Sequence, residues 1–477
     1  MLRSVSLYAV IRAGSAAISF LGIAMLTRLL DKAEYGRYAL VAASASFAAA
    51  LGFTWLRMGL LRYLPAFEGR RDVFLSTLLR GFAFSMAASA TLAIGLWLLV
   101  RDDEIRALIP YGLLLLWATS AFELNLDVTV SQLQPTRYGR LTALRSAVGV
   151  GAAIFLAWRG YGARGVILGF SLGLLLPVVW SAFGDWRPAR LRLADAEVLR
   201  RVTRYSAPLV ATVLLEFVVN LSDRFFLGWL HGVEAAGAYA VGYDLAQQTL
   251  TVLLVTVNLA AYPAVIRALE AGDAATARVR LEQQGQLLLA IGLPAAAGLA
   301  LLAPNIAHLL LGADFRASAR VLIPWIAVAT LIGGTKSYYF DLTFQLAQVT
   351  AQQIRIMLFA AATNVVANLL LIPRYGALGA AWATVAAYIV GLSMSWARGR
   401  TVMPLPLPWR QWSRTAIATL AMAAVLWPLR SRIGWPSLIV QLLLGAAVFV
   451  AAAMMLDVLG SRRLARQAWT RVVAGPG

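Results

Sequence analysis

The chain has 477 residues, 60% of them hydrophobic and 13% charged, with 42 Lys+Arg, 22 Asp+Glu and a formal net charge of +20 at pH 7. Soluble domains carry about 25% charged residues and put a polar face on each helix, so the composition excludes an ordinary soluble protein and leaves a polytopic membrane protein. With Cys 0 and His 2, disulfides, thiolate nucleophiles and cysteine metal sites are excluded, and His231 and His308 beside loops read as surface or cap residues rather than metal ligands.

The chain starts with "MLRSVSLYAVIRAGSAAISFLGIAML", whose apolar run is long and interrupted by Arg12. A cleavable signal has an uninterrupted apolar core of about 7–15 residues, so this segment reads as a retained first span. Apolar runs then predict spans near 38–61, 80–100, 108–131, 142–158, 165–184 and 206–230. Further runs fall near 236–263, 285–311, 318–343, 354–372, 377–397, 413–429 and 436–457, about fourteen in all at the length a bilayer requires. The fold class is all-α. With the N-terminus inside, the inner segments and their flanks hold roughly 26 Lys/Arg against roughly 13 outside, which satisfies the positive-inside rule. Both termini are then cytoplasmic. The basic excess is assigned to topology and anionic lipid headgroups, not to nucleic acid. The basic linkers near 185–205 and 264–284 alternate apolar and charged residues as interfacial helices do.

"WRGYGARGVILG" at 158–169 and "IPRYGALGAAWA" at 372–383 are near copies. Tyr161, Gly162, Ala163 and Gly165 match Tyr375, Gly376, Ala377 and Gly379, and Gly165, Gly169 and Gly173 correspond to Gly379, Ala383 and Ala387. That small-residue stripe permits close helix approach in lipid. In the later copy Pro373 is expected to end one span and Gly376 to permit the turn. A second pair, "YGRYAL" from Tyr35 and "AGAYAV" from Ala236, joins equivalent helix boundaries at a similar offset. Together they indicate an internal repeat of spans 1–6 and 7–12. Six spans is an even number, so the copies share orientation and the pseudo-twofold runs along the membrane normal, as in parallel-repeat transporters. The expected organisation is one six-helix lobe over 1–200, another over 201–400 around a central cavity, and two extra helices with a basic tail over 401–477.

A charge at a helix centre costs about 2.5–3.5 kcal/mol on insertion scales, so retained charges are functional candidates. The seventh span places Glu216, Asn220 and Asp223 on one face with Arg224 alongside, and the fourth places Glu123 and Asp127 one turn apart. Asp244 lies in the eighth span, and Lys336 and Asp341 in the tenth, beside Gly333 and Gly334. Two readings stand for several of these. Asp223 and Arg224 can cap a helix or pair structurally, and Arg12, Arg57 and Arg62 can snorkel to the inner interface. Asn364 and Asn368 read as packing hydrogen bonds between helices. "GGTKS" at 333–337 lacks phosphate-loop spacing, and no HExxH motif or Ser-His-Asp constellation is found. No catalytic residue or metal site is assigned.

Three stretches carry a family resemblance: "LTRLLDKAEYGRYAL", "YSAPLVATVLLEFVVNLSDRFFLGWLHGVEAAGAYAVGYDL" and "NVVANLLLIPRYGALGAAWAT". In order, over roughly residues 1–400, they resemble bacterial polysaccharide flippases for O-antigen or exopolysaccharide. These form a branch of the multidrug/oligosaccharidyl-lipid/polysaccharide exporter superfamily. The resemblance implies two lobes that open alternately to each side of the bacterial cytoplasmic (inner) membrane and carry an undecaprenyl-diphosphate-linked oligosaccharide across it. Polysaccharide assembly proteins are the expected partners besides the lipid-linked substrate and membrane lipids. Cations must compensate a diphosphate in the membrane, so Arg12, Arg57, Arg224 and Lys336, with Asn220, are the substrate-binding candidates. Glu123, Asp127, Glu216, Asp223 and Asp244 are candidates for a coupling H+ or Na+, with no other cofactor. A peptidoglycan-precursor (lipid II) flippase and a cation-coupled drug antiporter of the same superfamily stand as alternatives. A membrane glycan polymerase or ligase would need a sizeable outer loop, and a passive scaffold would not need buried charges.

Overall fold

The computed structural model describes residues 2–132 and 134–462; within helices, the side chains of residues 2–13, Ala16, Phe183 and Thr350 are outside the described set. The expected role of Arg12 falls on one of those side chains, and most of the basic C-terminal stretch lies past residue 462. Every element is helical among the described residues. The first are α1 (Leu2–Leu29), α2 (Lys32–Gly52), α3 (Thr54–Tyr63), α4 (Arg71–Leu99) and α5 (Asp103–Ser131). Then follow α6 (Pro135–Trp158), α7 (Gly162–Asp185), α8 (Ala196–His231), α9 (Val233–Glu270) and α10 (Ala274–Leu310). The chain continues with α11 (Ala313–Thr335), α12 (Leu342–Leu346), α13 (Thr350–Val402), α14 (Trp409–Leu426) and α15 (Trp435–Leu456). Among the described residues, 10 helical stretches are long and apolar enough to cross a membrane. α13 counts once there although it carries two expected spans, and α1, α2 and α14 are the expected spans below that measure. In hydrocarbon a helix satisfies its backbone polar groups internally, which is why apolar runs of this length fold this way.

Helix starts are set by carboxylates. Asp31, Asp102, Asp195 and Asp273 cap α2, α5, α8 and α10, each accepting from backbone N–H groups of the first turn. Asp273 lies outside the spans, and its hydrogen bonds to Thr276 hold its carboxyl below the ordinary range.

The expected second span is broken. α2 ends at Gly52 and α3 begins at Thr54, with Phe53 at φ −128 between them. The freed Gly52 carbonyl accepts from Trp55 Nε1 at 2.9 Å and Ser85 Oγ at 2.7 Å, so the interruption leaves no bare acceptor in lipid. The eleventh and twelfth spans are the two arms of α13, which meet at Gly376 with φ 54 and ψ −132. Gly162, its counterpart in the earlier copy, also has φ 54. Pro373 therefore sits within the first arm, and the glycine makes the turn.

The linker expectations need correction. Between α7 and α8 there is no separate interfacial helix, only a short 3-10 turn at Leu191–Leu193. Ser76 Oγ accepts from Arg190 N and Thr77 Oγ1 from Asp195 N, so hydroxyls of α4 bind the backbone that a helix would have satisfied itself. The 264–284 stretch is shared between the end of α9 and the start of α10.

Packing divides the chain into two compact units, Met1–Ala240 and Val241–Gly477. In the first, α6 lies along α7. A Cβ on Gly169 would overlap the Ala153 backbone and one on Gly173 the Gly149 backbone, so the stripe is used for close approach. Phe53, Leu56, Phe74, Leu78, Phe122 and Val128 are the centre of its core. In the second unit α10 packs on α11 and α14 on α15. Fully buried Asn305 of α10 donates to Gln441 Oε1 of α15 at 3.0 Å and accepts from Gly434 N at 3.0 Å, which fixes the last helix pair to the unit.

Candidate functional site

Arg57 lies one turn past the α2–α3 break. Its Nη1 donates to Glu123 Oε2 at 2.5 Å and its Nε to Asp127 Oδ2 at 2.7 Å. The two acceptors lie on one face of α5, spaced i, i+4 as the sequence indicated. Side-chain exposure falls across the triad: 36% for Glu123, 27% for Arg57 and 10% for Asp127. Asp127 is thus anchored in the protein, while Glu123 is open on one side. Arg145 of α6 joins the cluster with its guanidinium carbon 5.2 Å from the Phe122 ring centroid. Arg145 is exposed and has no ion pair within 4 Å among the described residues. An exposed arginine within a span cannot face hydrocarbon at tolerable cost, so this side of the cluster borders a hydrated space. Sequence reasoning missed Arg145; the available signal was an arginine inside the fifth apolar run.

On α8, Asp223 is fully buried and accepts from Tyr239 Oη at 2.6 Å, and Arg224 beside it is 6% exposed. Asn220 Nδ2 donates to the Glu216 carbonyl at 2.9 Å, and Glu216 itself is exposed. Asp244 is half-buried on α9, in the second unit.

In the second unit the Gly333–Gly334 pair precedes a π turn at Lys336–Phe340. Lys336 Nζ meets Asp341 Oδ2 at 2.6 Å, with side-chain exposures of 5% and 2%. Asp341 also accepts from Ser395 Oγ at 2.6 Å and Gln353 Nε2 at 3.3 Å, so Lys336 can meet an anion only if this pair opens. Asn368 Nδ2 donates to Asn364 Oδ1 at 3.0 Å, both fully buried. Of the site candidates, Arg57, Glu123 and Asp127 converge within the first unit.

A cavity of about 530 Å3 opens in the first unit, away from the triad. Its floor is Leu30, Leu108 and Ala163, and Glu34, Arg37 and Glu104 stand on its wall. These groups already bind each other: Glu34 accepts from Arg37 Nη1 at 2.6 Å and from Ala163 N at 2.5 Å, and Arg37 also pairs with Glu104. At the far ends of α6 and α7 Arg137 grips Asp185 with both terminal nitrogens, at 2.9 and 2.5 Å, a bidentate pair that no sequence signal gave. Among the described residues no group of three or more His, Cys, Asp or Glu is placed to hold a metal ion.

The fold is shared with solved transporters. The structure of lipid II flippase MurJ in its inward closed conformation superposes with a TM-score of 0.79 at 13% identity, covering 94% of this chain and 98% of that one. An inward-facing multidrug resistance MATE family transporter of the MOP superfamily gives 0.63 at 15%, covering 82% and 97%. A Vibrio cholerae MATE transporter gives 0.54 at 11%, covering 84% and 95%. No curated protein matches this sequence. The family model described as "Polysaccharide biosynthesis protein" matches residues 25–320. With that match over more than half its length, in a multi-pass helical membrane protein, the chain belongs to the polysaccharide biosynthesis protein family.

Proposed function

We propose that the chain is a flippase for a polyprenyl-diphosphate-linked oligosaccharide, working by alternating access in the cytoplasmic membrane and supplying exopolysaccharide, O-antigen or capsule assembly. The observation that carries the reading is the Arg57–Glu123–Asp127 triad, a partly exposed ionic group retained within membrane spans. A diphosphate cannot cross hydrocarbon without compensating cations, whereas its polyprenyl tail can stay in lipid. Family membership supports a polysaccharide-related cargo. The carboxylates Glu123, Asp127, Glu216, Asp223 and Asp244 are the proposed carriers of a coupling H+ or Na+. The test is complementation of a strain lacking the gene. Arg57→Ala with Asp127→Ala is expected to lower surface glycan at least tenfold at unchanged membrane level of the protein, and normal glycan export would overturn the reading.

The likeness to a lipid II flippase at a TM-score of 0.79 favours a second reading, a peptidoglycan-precursor flippase. Growth of a strain depleted of that activity, when supplied with this chain, would select it over the first.

A further inference from the structure

We propose that Arg145 is the group that receives the substrate's anion, and that Glu123 is the counter-ion displaced to admit it. The proposal rests on the flippase reading for its ligand class. Charge first limits what the cluster can do. Arg57 and Arg145 contribute two positive charges, and Glu123 and Asp127 two negative ones, so the set is neutral as it stands. A diphosphate brings at least two more negative charges, and repulsion by two carboxylates would oppose it. One carboxylate must leave, and the structure distinguishes the two. Asp127 is 10% exposed and bonded to Arg57 Nε, which points back along the side chain. Glu123 is 36% exposed and holds a terminal nitrogen, Nη1, on the open side. Glu123 can swing out into water and be solvated there, whereas Asp127 is enclosed by the protein.

Its departure frees the terminal nitrogens of Arg57. Arg145 needs no release, because among the described residues no carboxylate within 4 Å holds it and its guanidinium is braced by the Phe122 ring. Two guanidinium forks are then open to an anion, the planar donor type that suits a diphosphate. Asp127 stays behind to keep Arg57 extended. The shared ligand chemistry is a diphosphate, free or lipid-linked.

The test uses the purified full-length chain in detergent, with inorganic pyrophosphate as the probe and titration calorimetry as the readout. Glu123→Gln, which keeps the shape but removes the charge, is expected to tighten pyrophosphate binding at least fivefold. Arg145→Gln is expected to weaken it at least tenfold, while Arg145→Lys retains binding within a few fold and shows that the position tolerates change. Arg37→Gln, in the distant group where Arg37 pairs with Glu34 and Glu104, is expected to leave the affinity unchanged. Unchanged affinity in Glu123→Gln, or full affinity in Arg145→Gln, overturns the proposal. A second arm compares a polyprenyl diphosphate with pyrophosphate. Tighter binding of the lipid form with the same variant pattern supports the lipid-linked source, and equal affinity overturns that source. If these binding results hold while glycan export is indifferent to Arg57 and Asp127, the anion site stands and the flippase reading fails.

Discussion

Arg57 could be found in the sequence as an arginine within an apolar run, but its partners stand 66 and 70 residues away. Their pairing depends on how α3 packs against α5, which periodicity does not encode. Removing one partner of a buried pair costs about 3–5 kcal/mol because a charge is left stranded. Asp127→Ala is expected to destabilise by about 2–3 kcal/mol, since Arg57 is partly solvated and keeps Glu123. Asp341→Ala is expected to cost more, because Lys336 is 4% exposed and the side chains of Ser395 and Gln353 lose their acceptor too. Thermal unfolding in one detergent ranks them, and a smaller loss in Asp341→Ala would refute the ordering. Lys336 was as legible as Arg57, as an isolated lysine in an apolar run. Its buried pairing was not, since it needs the π turn that brings Asp341 back to it.

At the scale of the element, the two copies of the Tyr-Gly-Ala turn share a backbone angle but not an environment. Gly162 and Gly376 both have φ 54, where a side chain is strained. A Cβ on Gly376 would meet nothing within 4 Å, whereas one on Gly162 would meet the Glu34 carboxylate that accepts from Ala163 N. Gly376→Ala is therefore expected to show only torsional cost, about 1–3 kcal/mol, additive with Glu34→Ala. Gly162→Ala and Glu34→Ala are expected to be non-additive, because each removes the same contact; additivity in both cycles would contradict this account. The helix start at α10 gives a pH prediction. Asp273 has its carboxyl lowered by Thr276, so its capping contribution is present above the unfolded carboxylate range. It is lost as pH falls through the lower folded value. Amide exchange at Thr276, corrected for intrinsic rates, should lose protection in that acid window and show none of this change in Asp273→Asn. The apolar spans and the small-residue stripe were readable because each follows from local composition and spacing. The break at Gly52 and the absence of a helix between α7 and α8 were not, because hydroxyls from α4 supply the missing backbone partners.

For the molecule as a whole, the repeat expected from sequence pairs the start of the second span with that of the eighth, and these two helix starts touch within the first unit. Lys32 and Gly36 occupy the same places before the second span as Val233 and Gly237 do before the eighth. A Cβ on Gly36 would strike the Val233 carbonyl, and a Cβ on Gly237 would strike the Lys32 carbonyl. Each helix start gives the contact that it receives, the reciprocal relation that a twofold axis produces between copies. Side chains at either glycine must part the first turns of α2 and α9, so Gly36→Val and Gly237→Val are expected to have the same effect. The double variant should do little more than either alone, because the turns are already apart. The chain has no cysteine, so Lys32→Cys supplies a lone reporter for a membrane-impermeant maleimide added from the outer side. Each valine variant is expected to speed its labelling several-fold and to a similar extent. A large effect from one glycine and none from its counterpart would break the reciprocity. Like-oriented copies also require residue 200 and the C-terminal end to lie on one side of the membrane, so reporter fusions at both places that disagree would remove the parallel repeat itself.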